Sequence, residues 1–364
     1  MGGGPPKDHV LFTLPFGEPK ETLHKLSAKF PQNEFTWAPV PYAVAHKEIE
    51  DALPPETFKD TTILVTFSGL PKHKEDAPNL KILQLVSAGS NHIQDTWIWE
   101  DEKIEVCTAS GIHGPQIAEW VVMTALVHTH GYNKLYESQK KHEWAHAGGD
   151  GATRDRVGLR VGILGYGSIG RQVGRVAKAL GMEVLAYTAT PKKSKEDKKD
   201  KGFIVPETGD PDGEIPIEWF SGLDKESLHT FLKQDLDWVV VAVPLTKETT
   251  RFLGKEEFRV LSKHASQGKP FVSNIARGPI IDQPDLIEAL KDGTLSGAAV
   301  DVTDPEPLPS DSELWDLENC IVTPHISGSG SSYVERAFKV LEVNLGKRVK
   351  GDKLINVVKR GRGY

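Results

Sequence analysis

The sequence has few cysteines, no long apolar run and no excess of positive charge. Its 364 residues include two cysteines, Cys107 and Cys320, each in an apolar run; this predicts buried thiols in a reducing compartment rather than a disulfide. No apolar run is long enough to span a bilayer. The formal net charge of −7 excludes a global basic field for nucleic acid. We therefore expect neither nucleic acid nor a membrane as a partner.

The two ends of the chain lack targeting signals. Residues 1–7 have no apolar core of a signal peptide, and Pro6 stands where a myristoylation signal requires serine or threonine. The last residues, Gly361 to Tyr364, do not form a peroxisomal signal. The expected location is the cytoplasm.

The length predicts two domains, and the pattern predicts parallel sheets. Short apolar runs alternate with amphipathic stretches along the chain, an order typical of α/β folds. One long helix is predicted from about Pro115 to Lys140. Residues 202–235 are too long for an ordinary crossover and are interpreted as an insertion, apart from a short helix near 226–232.

A glycine-rich turn follows the apolar run Val161 to Leu164. Gly165, Gly167 and Gly170 lie between this predicted strand and a helical pattern, which is the context of a dinucleotide-binding fingerprint. Gly165 permits a tight turn, Gly167 allows the backbone to approach a pyrophosphate, and Gly170 permits close helix packing. The helix start then offers N–H groups to phosphates. The alternative is a set of glycines that serves packing alone.

The next predicted strand, Met182 to Tyr187, lacks the acid that typically accepts a hydrogen bond from the ribose of NAD. Its place falls at Thr188, and Lys192 and Lys193 follow. A carboxylate would repel a 2′-phosphate, whereas hydroxyls and lysines would bind it. The sequence thus favours NADP over NAD. The alternative is a solvated lysine loop that also contains acids.

Charged residues recur where later strands of the nucleotide-binding sheet should end. Arg277, Asp301 and His325 each follow a predicted strand, and Glu306 comes shortly after Asp301. Carboxyl ends of parallel strands share one edge, so these groups should converge. Arginine suits a carboxylate, histidine exchanges protons near neutral pH, and a glutamate can orient the imidazole. Each residue alone also has an ordinary structural explanation.

Five segments together carry a family resemblance. They are Gly162–Gly170, Val243–Leu253, Asn274–Asp282, Gly297–Pro307 and Thr323–His325. In order and spacing they resemble the D-isomer-specific 2-hydroxyacid dehydrogenases, a family that includes glyoxylate/hydroxypyruvate reductases. The resemblance is dense over residues 158–326.

The resemblance implies two Rossmann-like domains, one flavodoxin-like and one that binds NAD(P), with the active site in the cleft between them. Residues 1–125 plus 330–364 would form the substrate domain, and residues 126–329 the dinucleotide-binding domain. The family usually forms homodimers through the nucleotide domains. No metal is expected.

The resemblance also implies roles for individual residues. Arg277, Glu306 and His325 would be catalytic, with Arg277 on the substrate carboxylate and His325 as the general acid/base. Ala88 and Gly89 would bind the substrate from the other domain, although Asn91-His92-Ile93 departs from the family's usual Asp-Asn pair. Cofactor contacts are implied for Gly165, Gly167, Ser168, Ile169, Gly170, Thr188, Lys192, Lys193, Val243, Thr249, Ala276 and Asp301, the last on the nicotinamide amide.

The expected activity is reversible hydride transfer between NADP(H) and a 2-keto acid or D-2-hydroxy acid. Glu306 stands where the related formate dehydrogenases carry glutamine, which disfavours formate. An alternative is a dinucleotide-sensing, corepressor-like scaffold with little turnover, which would use the same fold. A dehydrogenase of a substrate without a carboxylate is a third possibility.

Overall fold

Contacts divide the chain into two compact units. The computed structural model describes residues 7–43, 46–144 and 153–362. The first unit lies within residues 1–112, 201–203 and 331–364, and the second within 113–200 and 204–330. The contact-based division falls after Ile112. The domain boundary predicted after residue 125 stays a prediction.

The strands form two sheets in which every neighbouring pair is parallel. The first unit contains the order β2-β1-β3-β4-β5, and the second β12-β11-β10-β9-β6-β7-β8. The predicted α/β fold class is confirmed. The strands are β1 (His9–Thr13), β2 (Glu34–Trp37), β3 (Ile63–Thr66), β4 (Ile82–Leu85), β5 (Glu105–Cys107), β6 (Arg160–Leu164), β7 (Glu183–Thr188), β8 (Glu218–Ser221), β9 (Trp238–Val241), β10 (Phe271–Asn274), β11 (Gly297–Val300) and β12 (Cys320–Val322).

Helices cover both faces of each sheet. They are α1 (Lys20–Lys29), α2 (Trp97–Glu100), α3 (Gly114–Thr129), α4 (Tyr132–Lys140), α5 (Ser168–Ala179), α6 (Lys195–Lys198), α7 (Lys225–Leu232), α8 (Lys255–His264), α9 (Gln283–Lys291) and α10 (Tyr333–Lys350). Among the described residues, none of these helices combines the length and apolar character that crossing a membrane requires.

The cores follow from the apolar strands. In the first unit, α10 packs on the sheet face that includes Phe12, and the rings of Phe12 and Phe338 stack 5.4 Å apart. In the second unit, α3 and α5 cover one face, while α7, α8 and α9 cover the other. Strand β9 is buried along its whole length, as its apolar sequence predicts for a central parallel strand.

Two predictions about local structure are wrong, and two strands are missing from the predictions. The helix predicted over 115–140 is two helices, because Gly131 adopts a left-handed φ of +62° after α3 ends. Strands β2 and β8 were not predicted; both are edge strands with mixed sequences, EFTW and EWFS. The insertion lies between β7 and β8, at residues 189–217, since residues 218–221 form a strand; the helix predicted near 226–232 is confirmed as α7.

The two cysteines are free thiols. Cys107 is buried as predicted, whereas Cys320 is partly exposed on the edge strand β12. Burial raises the pKa of each thiol to about 12, which keeps both in the unreactive thiol form at neutral pH.

Candidate active site

The second sheet presents its strand ends at one edge. Its order reverses direction between β6 and β9, and ligands of such sheets bind beyond the carboxyl ends near this reversal. The glycine turn follows β6, Arg277 follows β10, and Asp301 follows β11 directly. His325 comes after β12. The fold therefore gathers the predicted second-unit residues at one edge.

The glycine turn has the shape that a dinucleotide requires. Gly165 has a φ of +99°, and a Cβ there would lie 2.5 Å from the carbonyl carbon of Ala242. A Cβ on the exposed Gly167 would meet nothing within 4 Å, so the backbone is open to a ligand at this point. Helix α5 begins at the next residue, Ser168, and directs its first N–H groups there. The turn fits a pyrophosphate group.

The second residue of the turn, Tyr166, joins it to the insertion. Its hydroxyl donates to Oδ2 of Asp210 over 3.0 Å. Burial raises the pKa of the Tyr166 hydroxyl, and the negative charge of Asp210 raises it further. Asp210 also accepts from the backbone N–H groups of Glu214 and Ile215. The insertion is thus folded against the glycine turn, a role that sequence analysis missed.

Arg171 on α5 holds the same insertion. Its side chain donates to the carbonyl oxygens of Asp210 and Lys198, each at a donor–acceptor distance of 2.5 Å. The guanidinium also lies over the rings of Tyr166 and Trp219, at 5.4 and 5.9 Å from their centroids. The sequence did not indicate this role of Arg171.

The end of β7 carries the residues predicted to read the adenosine ribose. Thr188 is half-buried and donates its hydroxyl to the carbonyl oxygen of Thr190 over 2.8 Å. Lys193 is exposed and Lys192 half-buried. Hydrogen bonds from Ser194 lower the pKa of Asp197, and the charge of Lys192 contributes to this shift. Part of the lysine charge is therefore balanced within the loop.

Arg277 is held in a constrained turn. Asn274, at the end of β10, accepts from the N–H of Ala276 and donates to the carbonyl oxygen of Arg277, each over 3.2 Å. A Cβ on Gly278 would lie 1.9 Å from the carbonyl oxygen of Thr303, so only glycine fits beside the segment that leads to Glu306. The sequence did not indicate this positioning role of Asn274.

The charge of Glu306 acts on the guanidinium of Arg277. Burial lowers the pKa of the guanidinium, while the charge of Glu306 raises it. An arginine stays protonated under such opposing effects at any ordinary pH. The structure therefore keeps a partly buried cation whose charge interacts with that of Glu306.

His325 and Glu306 form a hydrogen-bonded pair. Nδ1 of His325 lies 2.5 Å from Oε1 of Glu306. Both side chains are a little under half exposed, at 45% and 41%, so the other imidazole nitrogen can meet a substrate. A carboxylate on Nδ1 fixes the orientation of the ring and leaves Nε2 as the position for proton exchange. The predicted pair is therefore within direct contact.

Asp301 lies beneath the loop that carries His325. It is buried and accepts hydrogen bonds from Thr323, Ile326 and Ser327. The family resemblance implies a contact of Asp301 with the nicotinamide amide, and that contact stays a prediction. The hydrogen bonds to the loop were not predicted.

Three further residues predicted to line the cofactor site surround the same edge. Val243 is half-buried after β9, and Ala276 is buried after β10. Thr249 is buried, and its hydroxyl donates to the carbonyl oxygen of Pro244 over 2.7 Å. Thr249 thus holds the turn after β9, and a contact of its own with the cofactor stays a prediction.

The predicted substrate loop of the first unit follows β4. Ala88 is exposed and Gly89 half-buried, and Ser87 donates its hydroxyl to the carbonyl oxygen of Gly89 over 2.8 Å. The divergent residue His92 lies next to this loop. Its Nε2 lies 2.7 Å from the carbonyl oxygen of Phe67, and the two rings stack at 5.6 Å.

One group of side chains in the described part of the chain has metal-ligand spacing: His229, Glu256 and Glu257. Oxygens of Glu257 already contact Nε2 of His229 and Nζ of Lys225, both at 2.8 Å. Glu257 also accepts from the N–H of Gly254 at the start of α8. This group is an ion-pair network that caps a helix, and it lies apart from the candidate active-site residues in the sequence.

Comparison with known families gives a direct match. The family model for the NAD-binding domain of D-isomer specific 2-hydroxyacid dehydrogenases matches residues 122–208 and 213–327, which is more than half of the chain. The chain belongs to this family. The predicted resemblance is confirmed, and the matched region contains the glycine turn, Arg277, Asp301, Glu306 and His325.

Curated relatives of this family member include two groups of enzymes. The D-3-phosphoglycerate dehydrogenase of Methanocaldococcus jannaschii is 29% identical over 306 residues, covering 83% of this chain and 52% of the relative. The glyoxylate reductase of Thermococcus gammatolerans is 37% identical over 175 residues, covering 48% of this chain and 44% of the relative. The alignments thus span about half the length of these relatives.

A solved structure of the family matches over nearly the whole chain. The NADPH-dependent glyoxylate/hydroxypyruvate reductase of Sinorhizobium meliloti, in complex with NADP and sulfate, is 26% identical with a TM-score of 0.73. The match covers 98% of this chain and 100% of that chain.

Proposed function

We propose that the chain catalyses the reversible reduction of a 2-keto acid to a D-2-hydroxy acid with NADP(H). The observation that carries this proposal is the 2.5 Å pair of His325 and Glu306, whose carboxylate also raises the pKa of Arg277. These groups follow strands of the sheet whose glycine turn fits a dinucleotide. The names of the relatives, reductases and dehydrogenases of such acids, support the same reaction.

The residues divide the chemistry between them. A nicotinamide cofactor, when bound, would supply hydride for the keto carbon. Arg277 holds the substrate carboxylate and stabilises the negative charge that develops on the carbonyl oxygen. His325, protonated, gives its proton to that oxygen, and Glu306 keeps the imidazole oriented and balances its charge. The imidazole is left neutral and the product is the hydroxy acid.

The backbone of Ala88 and Gly89 is proposed to bind the substrate carboxylate from the first unit. Both residues lie in the loop after β4, where the backbone is at least partly exposed. Binding of carboxylates by exposed N–H groups at strand ends is typical of parallel sheets.

The stereochemistry of the product tests this proposal. With pyruvate and NADPH as substrates, the expected product is D-lactate, which chiral chromatography separates from L-lactate. L-lactate as the main product would contradict the proposal, because the family to which the chain belongs is specific for the D isomer.

NADP is the proposed cofactor, with NAD as the second choice. The turn after β7 has a hydroxyl at Thr188 and cations at Lys192 and Lys193 in place of an acid. The complex of the Sinorhizobium meliloti reductase with NADP supports this choice.

Replacing Thr188 by aspartate is expected to shift the preference from NADPH toward NADH. A carboxylate at the end of β7 would repel the 2′-phosphate and accept from a free ribose hydroxyl. The ratio of kcat/KM values should change by about tenfold or more, equivalent to ~1.4 kcal/mol of differential binding. The exposed Thr230 on α7 provides the control, since Thr230→Asp should leave the ratio unchanged. An unchanged ratio in Thr188→Asp would exclude Thr188 from the ribose site.

The corepressor-like alternative has no support among the relatives, which are named as dehydrogenases and reductases.

We propose a homodimer through the nucleotide-binding unit. Three large apolar side chains on α3 and α4 are about half exposed: Met123 at 52%, Tyr132 at 51% and Tyr136 at 45%. The rings of Tyr132 and Tyr136 stack 6.1 Å apart. Helix α4 has no buried residue in the single chain, so a second copy would cover it.

The double substitution Tyr132→Glu and Tyr136→Glu is therefore expected to convert a dimer into a monomer, measured by light scattering after size exclusion. Four added charges per dimer would face each other in a desolvated interface. Leu223→Glu, at an apolar residue that is 46% exposed elsewhere, is the control and should stay dimeric. A dimer that survives the double substitution would place the interface on another surface.

A reducing compartment such as the cytoplasm is the proposed location. Both cysteines are free, and no disulfide contributes to either unit.

A further inference from the structure

Both oxygens of the Asp301 carboxylate accept hydrogen bonds from a single loop. Oδ1 accepts from the hydroxyl of Thr323 over 2.6 Å and from the N–H of Ile326 over 2.9 Å. Oδ2 accepts from the N–H and the hydroxyl of Ser327, over 2.9 and 2.5 Å. An ionised carboxylate has about four lone-pair sites on its two oxygens. All four are occupied here.

The loop that these bonds hold carries His325. Thr323 precedes the histidine and Ile326 and Ser327 follow it, so Asp301 ties the loop on both sides. The main chain adds a further contact, because the N–H of His325 donates to the carbonyl oxygen of Asp301 over 2.8 Å. With 2% of its surface exposed, Asp301 is shielded from water, which strengthens each of these hydrogen bonds.

The histidine needs this support because its backbone is strained. His325 has a φ of +54°, a left-handed conformation that residues other than glycine adopt at a cost. Such a conformation persists only where the surrounding contacts determine it. In it, the imidazole of His325 meets Oε1 of Glu306.

We infer that Asp301 is a positioning residue for His325: its buried carboxylate fixes the loop of residues 323–327 and so sets the geometry of proton transfer. This inference rests on the proposed function, in which His325 gives its proton to the substrate oxygen. This role differs from the cofactor contact that the family resemblance implies. Loss of the positioning role would lower kcat, whereas loss of a cofactor contact would raise the Kd for the dinucleotide.

Asp301→Asn is the first test. The amide keeps the size of the carboxylate but turns one acceptor into a donor that faces N–H and O–H groups of the loop. We expect kcat for glyoxylate reduction to fall about a hundredfold, within the range that general acid catalysis supplies. The Kd for NADPH, measured by fluorescence titration, should change less than about threefold, a change of under ~0.7 kcal/mol.

Ser327→Ala provides a milder variant that keeps the fold. It removes one of the four hydrogen bonds and leaves the backbone N–H in place, so we expect a fall in kcat of about three- to tenfold. The matched control is Ser296→Ala, because Ser296 donates its hydroxyl to the carbonyl oxygen of Pro270 at the opposite end of the sheet. This control should leave kcat unchanged.

Comparing Asp301→Asn in the wild-type chain and in the His325→Ala chain distinguishes a positioning role of Asp301 from other roles. If Asp301 acts through His325, adding Asp301→Asn to His325→Ala changes kcat less than about twofold. Losses that multiply in the double variant would overturn the inference, as would a weaker Kd for NADPH with unchanged kcat. If Asp301→Asn does not fold, Ser327→Ala takes its place in the same comparison. A wild-type chain without turnover would contradict the proposed function instead.

Discussion

Replacing His325 by alanine is expected to lower kcat for keto-acid reduction by about 10²–10⁴-fold, the usual contribution of a general acid in a transition state. The substituted chain retains Arg277, the glycine turn and the loop tied by Asp301. Substrate and dinucleotide should therefore still bind, while the oxygen that becomes an alkoxide has no proton donor. Initial rates at saturating substrate, together with fluorescence titration of NADPH, measure the two effects separately.

The control for this variant is His73→Ala, which removes an exposed imidazole in the first unit. It should retain wild-type kcat. Glu306→Gln should lie between the two, since the amide keeps a hydrogen bond to Nδ1 but no longer balances the charge of the imidazolium. A His325→Ala chain that turns over at the wild-type rate would exclude His325 as the acid.

Replacing Arg171 by methionine is expected to lower the free energy of unfolding by about 3–5 kcal/mol, the usual cost of removing one partner from a buried charged network. Arg171 is 4% exposed, and its guanidinium donates to two carbonyl oxygens, those of Lys198 and Asp210. It also lies 3.7 Å from the carboxylate of Asp200. Methionine fills a similar volume but leaves these acceptors without a donor.

Urea denaturation followed by tryptophan fluorescence measures this change, and Trp219 reports on it directly because its ring lies beside the guanidinium. Arg175→Met is the matched control on the same helix. Arg175 is exposed and donates a single bond of 3.3 Å to the carbonyl oxygen of Gly209, so its loss should cost about 1 kcal/mol or less. Equal stabilities of the two variants would contradict the central role of Arg171 in holding the insertion.

The catalytic edge was predictable because its residues are tied to strand ends. Arg277, Asp301 and His325 each follow an apolar run, and parallel strands bring such positions to a common edge whatever the details of packing. The glycine turn was predictable for a similar reason, because Gly165 has a φ of +99° that residues with a side chain rarely adopt.

The contacts that hold these residues were not predictable, because they join positions far apart in the sequence. Tyr166 and Asp210 are 44 residues apart, and Asp301 and Ser327 are 26 apart. No periodicity or local motif connects such pairs. The break of the long helix at Gly131 did have a local signal, since glycine is the residue that most often ends a helix in the left-handed conformation.

The edge strands were missed for a physical reason as well. Strand β8 lies at the end of its sheet and reads EWFS, with Glu218 exposed and the other side chains half-buried. A partly buried edge strand needs no continuous apolar run, and it offers too few residues for a clear alternation. Its pairing with β7 depends on tertiary contacts.

The most direct test of the proposed function is the initial rate of NADPH and NADH oxidation with a panel of 2-keto acids: glyoxylate, hydroxypyruvate, pyruvate, phenylpyruvate and 2-ketoisocaproate. We expect turnover of at least one of these acids, faster with NADPH than with NADH, and its loss in His325→Ala. A chain that binds the dinucleotide tightly yet oxidises neither cofactor with any of the five acids would contradict the assignment of Arg277, Glu306 and His325 as a reductase site.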